Sequence, residues 1–370
     1  MIVYSDFLNK RVRLCSIDDI EDSIFSGSIS WSEACEFLSV IKGHERSEID
    51  DSTSSLCNSL GLPHSMWPVL LTGTRRREIT EELTREFSDA KKVTKDYFST
   101  WLKVRRFLDS LGVVKLDAKK FRDACPSHSR MVHKVENSEV QKIIYKTSKS
   151  STGRLTIASG PNFLVLPRES RGALCAFEEG SSIYSIDFTS LEPRVALWVS
   201  SVKSSEEDVY ATLMNMCEIS ERAVAKQATL SALYGAGVSR LSRTLGGISR
   251  AKSLVERVSR FFEVPDLEKR LNQQAEEGYI FNAFGRPLHE AKKQPRLRVN
   301  HYIQSTSAEL ANLLFSDLCE KNPDVKPLLV IHDALIVEIP DHAKLKFFDD
   351  AKSIYHKGIW FPTKTEDVNI

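Results

Sequence analysis

The sequence predicts an α+β fold, and three observations carry that prediction. Ile183, Tyr184 and Ile186 form a β-branched and aromatic run that reads as a buried strand, followed at once by a helical pattern beginning at Ser190. Two apolar runs, Leu328–Ile331 and Leu335–Ile339, flank His332-Asp333-Ala334 and read as a hairpin. Long stretches of helical periodicity, among them Glu78–Leu111 and Asn300–Leu318, lie between and before these strands.

At 370 residues the chain has room for roughly two or three domains. Its 41% hydrophobic and 27% charged residues are those of a globular protein. No apolar run approaches the ~18 residues that would span a bilayer. The start, MIVYSDFLNKRVR, lacks the pattern of a secretory leader, so the expectation is a cytoplasmic protein with no membrane partner. Cysteines 15, 35, 57, 125, 175, 217 and 319 are scattered, with no CxxC, and read as reduced thiols rather than a metal or disulfide framework. The net charge of +1 says little about partners, but basic clusters at Arg75–Arg77, Lys91–Lys95, Lys103–Arg106, Lys115–Lys120 and Lys292–Arg298 say more.

Residues 1–70 contain short helical patterns such as Trp31–Ile41, a polar break near Glu45–Ser55, and no acidic cluster of nuclease type. From Glu78 the apolar positions Ile79, Leu83, Phe87, Tyr97, Trp101 and Leu108 predict long amphipathic helices, stopped by Gly112. Their outer face carries Lys91, Lys92, Lys95, Lys103, Arg105 and Arg106, and reads equally as a solvated face or a surface for an anionic polymer. Arg154 follows Gly153 in TGRL, and Pro161-Asn162 comes shortly after; alone, this is a turn with an exposed arginine.

The strand Ile183–Ile186 runs into Asp187. Ser190 is placed to cap the next helix, Pro193 falls in its first turn, and Glu192 puts a second acid there. After a helix in EEDVYATLMNMC, Ser220 is placed to cap another, in which Arg222, Lys226, Leu230 and Tyr234 recur every four positions on one broad face. Two cations near a helix start suit a polyphosphate, although a surface helix with ordinary basic residues reads the same way. Helices follow at Val255–Phe262 and Leu267–Ala275, then a strand pair around Phe284-Gly285-Arg286. Asn300 and Gln304 lie on one side of the Asn300–Leu318 helix. Asp333 at the hairpin tip is, alone, a turn residue. A helix at Asp341–Tyr355 and a strand at Trp360–Ile370 complete the chain.

The order of these pieces is more specific than any one of them. TGRL, then DFTSLEPR, then R-x3-K-x7-YG, then N-x3-Q, then a hairpin tipped by HD resembles the polymerase region of the family A DNA polymerases, over about residues 147–340. The resemblance implies a right-hand architecture: an antiparallel palm, helical fingers and a short helical thumb. It implies a template-directed DNA polymerase that adds dNTPs to a primer 3′-end with two Mg²⁺ ions. Asp187 and Asp333 match the metal-binding carboxylates, with the Phe188 backbone carbonyl as a further ligand. Glu192 matches the residue that excludes a 2′-hydroxyl. Arg222 and Lys226 match the triphosphate-binding residues, Lys226 also as a catalytic cation, and Tyr234 the aromatic near the templating base. Arg154, Asn162, Arg286, Asn300, Gln304 and His332 match positions that contact primer–template DNA, Gly285-Arg286 being the GR that follows the fingers.

The chain departs from the family pattern in places. Leu230 stands where an aromatic usually meets the sugar, Tyr210 where a histidine contacts phosphate, Ala334 where an acid follows the second aspartate, and Glu309 where an aspartate is usual. The implied division is 1–74 as an N-terminal helical region of open role, 75–146 as thumb, 147–215 as first part of the palm, 216–290 as fingers and 291–370 as second part of the palm. The region before 147 is short for a proofreading domain plus a full thumb, so the expectation is a compact, phage-type enzyme without its own 3′→5′ exonuclease. A separate exonuclease or processivity partner is compatible with this. The alternatives are a single-subunit RNA polymerase, against which Glu192 argues, and an inactive DNA-binding derivative, against which Asp187, Lys226 and Asp333 together argue.

Overall fold

The computed structural model describes residues 2–6, 11–15, 31–45, 55, 59–60, 73–200, 208–235 and 237–368. The chain divides into two units, Met1–Phe98 and Ser99–Ile370. Most of the polar break expected near Glu45–Ser55 lies outside the described residues.

The first unit opens with β1 (Ile2–Asp6) and β2 (Arg11–Cys15), an antiparallel pair in which Ile2 faces Cys15 and Asp6 faces Arg11. The N-terminal region, expected to be helical, thus also holds a strand pair. The reason is legible in RVRLC, where apolar and basic residues alternate with the period of a strand. Helices α1 (Trp31–Lys42) and α2 (Gly73–Val93) follow, and α3 (Lys95–Ser110) begins in this unit. Phe37 meets Phe87 and Phe98 edge-on, with centroids 5.7 and 5.1 Å apart, and lies parallel to Tyr97 at 6.3 Å. Such edge-to-face contacts follow from the ring quadrupole and add to the burial of these side chains.

In the second unit, α3 buries Trp101, Val104, Phe107 and Leu108, the face expected from its periodicity. After Gly112 come β3 (Val113–Leu116), α4 (Ala118–Ala124), α5 (Ser129–Asn137), β4 (Val140–Lys142), β5 (Ile144–Lys146) and β6 (Thr156–Ser159). Asp117 caps α4 by accepting from the Lys120 N–H at 2.9 Å. A 3-10 turn, Arg168–Ala173, leads to β7 (Leu174–Cys175), then β8 (Ser181–Phe188) and α6 (Leu191–Val199). A run of helices follows: α7 (Val209–Cys217), α8 (Arg222–Tyr234), α9 (Val238–Thr244), α10 (Ile248–Phe261), α11 (Val264–Glu276), the short α12 (His289–Lys293) and the long α13 (Arg298–Lys321). The chain then forms β9 (Lys326–Ile331), β10 (Ala334–Pro340), α14 (Lys344–Lys352), β11 (Ser353–His356) and β12 (Ile359–Asp367).

The five-stranded antiparallel sheet runs β11-β12-β8-β10-β9. Its inner strands supply much of the core: Ile183 and Ile186 on β8, and Leu335, Ile336 and Val337 on β10, have no exposed surface. Tyr145 on β5 both donates to the Val330 carbonyl at 2.7 Å and accepts from the Val330 N–H at 3.0 Å, tying the β5–β6 pair to β9. Three expectations are corrected. The helix expected to reach Tyr355 ends at Lys352, and Ser353–His356 pairs with β12 instead. The strand pair around Gly285 is a single bridge, Phe281 to Pro287, enclosing a tight turn with Gly285 at φ 90°. Ser220 does not cap α8: Glu221 holds that position, without a side-chain capping bond.

Candidate active site

Asp187 and Asp333 leave the sheet side by side. Ala334, the first residue of β10, is the register partner of Asp187 on β8, and the Phe188 N–H donates to the Asp333 carbonyl at 3.2 Å. The connection between β9 and β10 is only His332 and Asp333, with His332 left-handed at φ 56°. On β8 the buried Ile186 and Phe188 flank the exposed Asp187, and Asp333 lies just beyond the buried run that ends at Ile331, so the acids face open space while the core holds the strands. Phe188 points inward and stacks on Phe315 of α13 at 4.9 Å.

These carboxylates are electrostatically unfavourable as they stand. Restricted solvation and the neighbouring Asp333 push Asp187 up to about 6, partly offset by Arg171 of the 3-10 turn. Asp333 is also raised, first by burial and then by Glu192, against the opposing effects of its own N–H, His332 and Arg154. Neighbouring carboxylates held partly out of water are stabilised by a cation, and hard oxygen donors suit a hard divalent ion. Among the described residues no group of three or more His, Cys, Asp or Glu side chains forms a metal cluster, so the donors offered are these two acids and backbone oxygen.

The wall opposite is made by α6, α7 and α8. Ser190 precedes α6 in a left-handed conformation, φ 56°, and makes no capping bond; its hydroxyl pairs with the Tyr210 phenol. Glu192 is held through both oxygens. Arg154 Nη2 donates to Oε1 at 2.5 Å, and the Tyr234 hydroxyl donates to Oε2. Burial first, and then the Glu192 charge, drive the Tyr234 phenol far above its ordinary range. On α8, Val224, Ala225, Ala228 and Ala232 pack inward, while Arg222, Lys226 and Leu230 are exposed on the opposite face. Asp208 caps α7 through Oδ1 at 3.0 Å from the Tyr210 N–H and pairs through Oδ2 with Arg222, whose guanidinium lies 4.9 Å from the Tyr210 ring centre.

Together with α13, these elements enclose a cleft of about 580 Å³. It gathers Arg154, Asp187, Phe188, Glu192, Tyr210, Arg222, Lys226, Leu230, Gln304, His332 and Asp333 from positions scattered along the sequence. Along α13 the cleft meets Gln304, Ser307, Ala308, Ala311 and Asn312, a helical face of mostly small residues. Tyr234 stands behind Glu192 rather than in the lining. Asn300 lies one turn before Gln304, with its Oδ1 buried and unpartnered. Asn162 is outside the lining, its Oδ1 accepting from the Leu164 N–H at 3.2 Å in a side-chain-closed turn.

Arg286 corrects the expectation of a DNA contact. It is 3% exposed, paired with Glu309 at 3.1 Å and donating to the Thr147 carbonyl at 2.7 Å, so its guanidinium belongs to the protein interior. Two neighbours of the carboxylates were missed in the sequence. Arg171 sits in RESRGAL without a local pattern. Lys364 on β12 is the register partner of Asp187 on the side away from Ala334, and pairs with Glu366 at 2.5 Å. Asp208 was also missed, although an acid just before VYATLMNMC was a visible N-cap signal.

Residues 118–357 match the family model described as DNA polymerase family A. The chain belongs to this family. Similar proteins include the thermostable DNA polymerase I of Thermus aquaticus, 28% identical over 231 aligned positions, with 53% of this chain and 28% of that protein covered. The DNA polymerase of Mycobacterium phage L5 is 28% identical over 172 residues, covering 44% of this chain and 29% of that protein. DNA polymerase I of Helicobacter pylori strain 26695 is 29% identical over 226 residues, 52% of this chain and 25% of that protein. Each match thus spans under a third of the relative's own length. Among solved structures, the POL domain of Pol1 from M. smegmatis, in complex with DNA primer-template and dNTP, superposes with a TM-score of 0.52 at 16% identity, over 95% of this chain and 64% of that one. That likeness is one of fold. No described helix is long and apolar enough to cross a membrane.

Proposed function

We propose that this family A chain extends a DNA primer on a DNA template, taking dNTPs and releasing pyrophosphate. The observation that carries the reading is the pair of adjacent strand-end carboxylates, both raised in pKa, facing a helix whose exposed face carries Arg222 and Lys226. The architecture is the right hand: residues 75–146 as thumb, 147–215 and 291–370 as palm, 216–290 as fingers, with 1–74 of open role.

Asp187, Asp333 and the Phe188 carbonyl are the residues to hold two Mg²⁺ ions. Such ions supply positive charge that favours the ionised primer 3′-hydroxyl and the leaving pyrophosphate. Arg222 and Lys226 bind the triphosphate, and Lys226 is placed to give a proton or a fixed charge to the leaving group. Tyr210, stacked under Arg222 and bonded to Ser190, keeps the phosphate side of the pocket ordered. Glu192, fixed through both oxygens, occupies the space a 2′-hydroxyl would need, which favours dNTPs over NTPs. Leu230 offers an apolar, sterically soft contact to the sugar and base. Arg154, Asn300 and Gln304 face the minor groove, whose acceptors are nearly degenerate among base pairs, as template copying requires. His332 lies at the primer end, Tyr234 serves near the templating base, and Asn162 is a DNA contact.

The test is primer extension with dNTPs and Mg²⁺. Wild-type protein extends the primer, and Asp187→Ala binds primer–template equally well without extending it. Wild-type protein that extends no primer ends the reading.

A further inference from the structure

The interior position of Arg286 raises the question of what a buried arginine does in a fold that could have used an apolar residue. Its Nη1 is 3.1 Å from Glu309 Oε1 on α13, and both side chains are at most 6% exposed. Its Nη2 donates to the Thr147 carbonyl at 2.7 Å, at the start of the turn that leads to Gly153. At the other end of that turn, Gly153 lies against the guanidinium: a Cβ there would be 2.7 Å from Cζ, and the backbone is left-handed at φ +71°. Gly153 is further held by its N–H to the Ser150 carbonyl at 3.0 Å. One planar group therefore fixes both ends of the segment Thr147–Gly153. The next residue is Arg154, whose Nη2 holds Glu192 at 2.5 Å.

Arg286 is itself fixed from behind. Asn282 Oδ1 accepts from the Arg286 N–H at 2.9 Å, Asn282 Nδ2 donates to Ser305 Oγ at 3.0 Å, and the Ala283 N–H donates to Thr306 Oγ1 at 3.2 Å. The turn carrying Arg286 is thus pinned to the same helix that supplies Glu309. The chain of contacts runs from α13 through Arg286 to Gly153, Arg154 and Glu192. An ammonium could not copy it, because only a planar fork serves a carboxylate and a carbonyl at once while leaving a flat face for glycine.

We propose that the Arg286–Glu309 pair is a positioning device for sugar discrimination: it sets the origin of the Arg154 side chain and so the fixed location of the Glu192 carboxylate. The proposal rests on the reading of Glu192 as the group that excludes a 2′-hydroxyl. Neither Arg286 nor Glu309 touches the nucleotide; both act through Arg154.

The readout is the ratio of kcat/KM for a ribonucleotide to that for the matching deoxynucleotide in single primer-extension steps. Arg286→Lys and Glu309→Gln are compared with wild type, each checked for a cooperative thermal transition. The expected result is a relaxation of the ratio by about tenfold in a folded variant, a change of ~1.4 kcal/mol in discrimination. In an Arg154→Ala background the same substitutions add nothing further, because the pathway is already cut. A merely structural pair would lower all activities together, in either background, with the ratio unmoved. If Arg286→Lys fails to fold, Glu309→Gln, which keeps the length and removes the charge, decides alone; an unchanged ratio in folded Glu309→Gln overturns the proposal. Glu192→Ala in the same assay separates the two readings. If it leaves the ratio unchanged, the sugar-gate role falls and this proposal with it. If it relaxes the ratio while the pair's variants do not, only the positioning role is wrong.

Discussion

Glu192, in the first turn of α6, accepts a hydrogen bond from the Tyr234 hydroxyl in the last turn of α8, so two helices meet at one carboxylate. The same carboxylate takes Arg154 on its other oxygen. A side chain held at both ends has little freedom to retreat from an added hydroxyl. Glu192→Ala is therefore expected to raise ribonucleotide incorporation relative to deoxynucleotide by about 10–100-fold, or ~1.4–2.7 kcal/mol. Tyr234→Phe, which removes one tether only, should raise it by a few-fold. Single-nucleotide extension kinetics check both, and equal ratios for wild type and Glu192→Ala would reject the role.

Asp187→Asn and Asp333→Asn should each lower primer extension by at least about 10²–10³-fold, the scale for losing a group aimed at developing charge. Both should leave primer–template binding intact. Each substitution also removes a repulsive carboxylate, so the metal-free variants should melt above the wild type at pH 7.5. Thermal unfolding in chelator measures this, and a lower melting temperature would contradict the repulsion inferred for the pair.

The raised carboxylates give stability a definite pH dependence. Asp187 titrates near 6 in the folded state, against an ordinary value of 3.8. Its proton is bound more tightly by the folded protein, so this contribution to stability is full below about 4 and is lost as pH rises through about 6. Metal-free wild type should thus gain from this group on going from pH 7.5 to 5.5, and Asp187→Asn should show a smaller gain. Primer extension should run the other way and fall as pH drops below about 6, because the acids must be ionised to hold metal. Melting curves and pH–rate profiles in the same buffers test the two signs together.

Lys226 and Arg222 share a face of α8 but should fail differently. Arg222 is committed to Asp208 and Tyr210, so it is ordered before nucleotide arrives. Arg222→Ala should act mainly on KM for dNTP, by about tenfold or more, the cost of charge-assisted hydrogen bonds. Lys226 is exposed in the cleft, and Lys226→Ala should act mainly on kcat, by about 10²-fold or more. Steady-state kinetics with a single templating base distinguish the two patterns.

The parts of this fold that were legible in the chain are those where period and punctuation agree. The strand that carries Asp187, the hairpin around His332-Asp333, and the helix that carries Arg222, Lys226, Leu230 and Tyr234 all occupy the places the pattern predicts. β1 and β2 went unread because each is only five residues long, and a period-2 pattern that short is a weak signal until the two strands pair. Arg286 was placed at a nucleic-acid surface because a linear motif carries no information about depth. Its burial follows from Glu309, which comes 23 residues later and is visible only once the turn at Gly285 folds back on α13. Arg171 and Lys364 could not be read beside Asp187, because their proximity depends on a 3-10 turn and on strand pairing across the sheet.

The opposition of Asp187 and Asp333 is a property of the ladder of backbone hydrogen bonds between β8 and β10, in which Ala334, next to Asp333, faces Asp187. Backbone ladders have a fixed pitch that side-chain identity does not alter, whereas a slip of one residue turns every side chain to the opposite face. The site therefore behaves like text read in a frame. Its letters around the carboxylates can be respelled widely with the reading kept. A single residue inserted between Asp333 and Ala334 would move one acid out of step with the other, while every residue of the centre remained present.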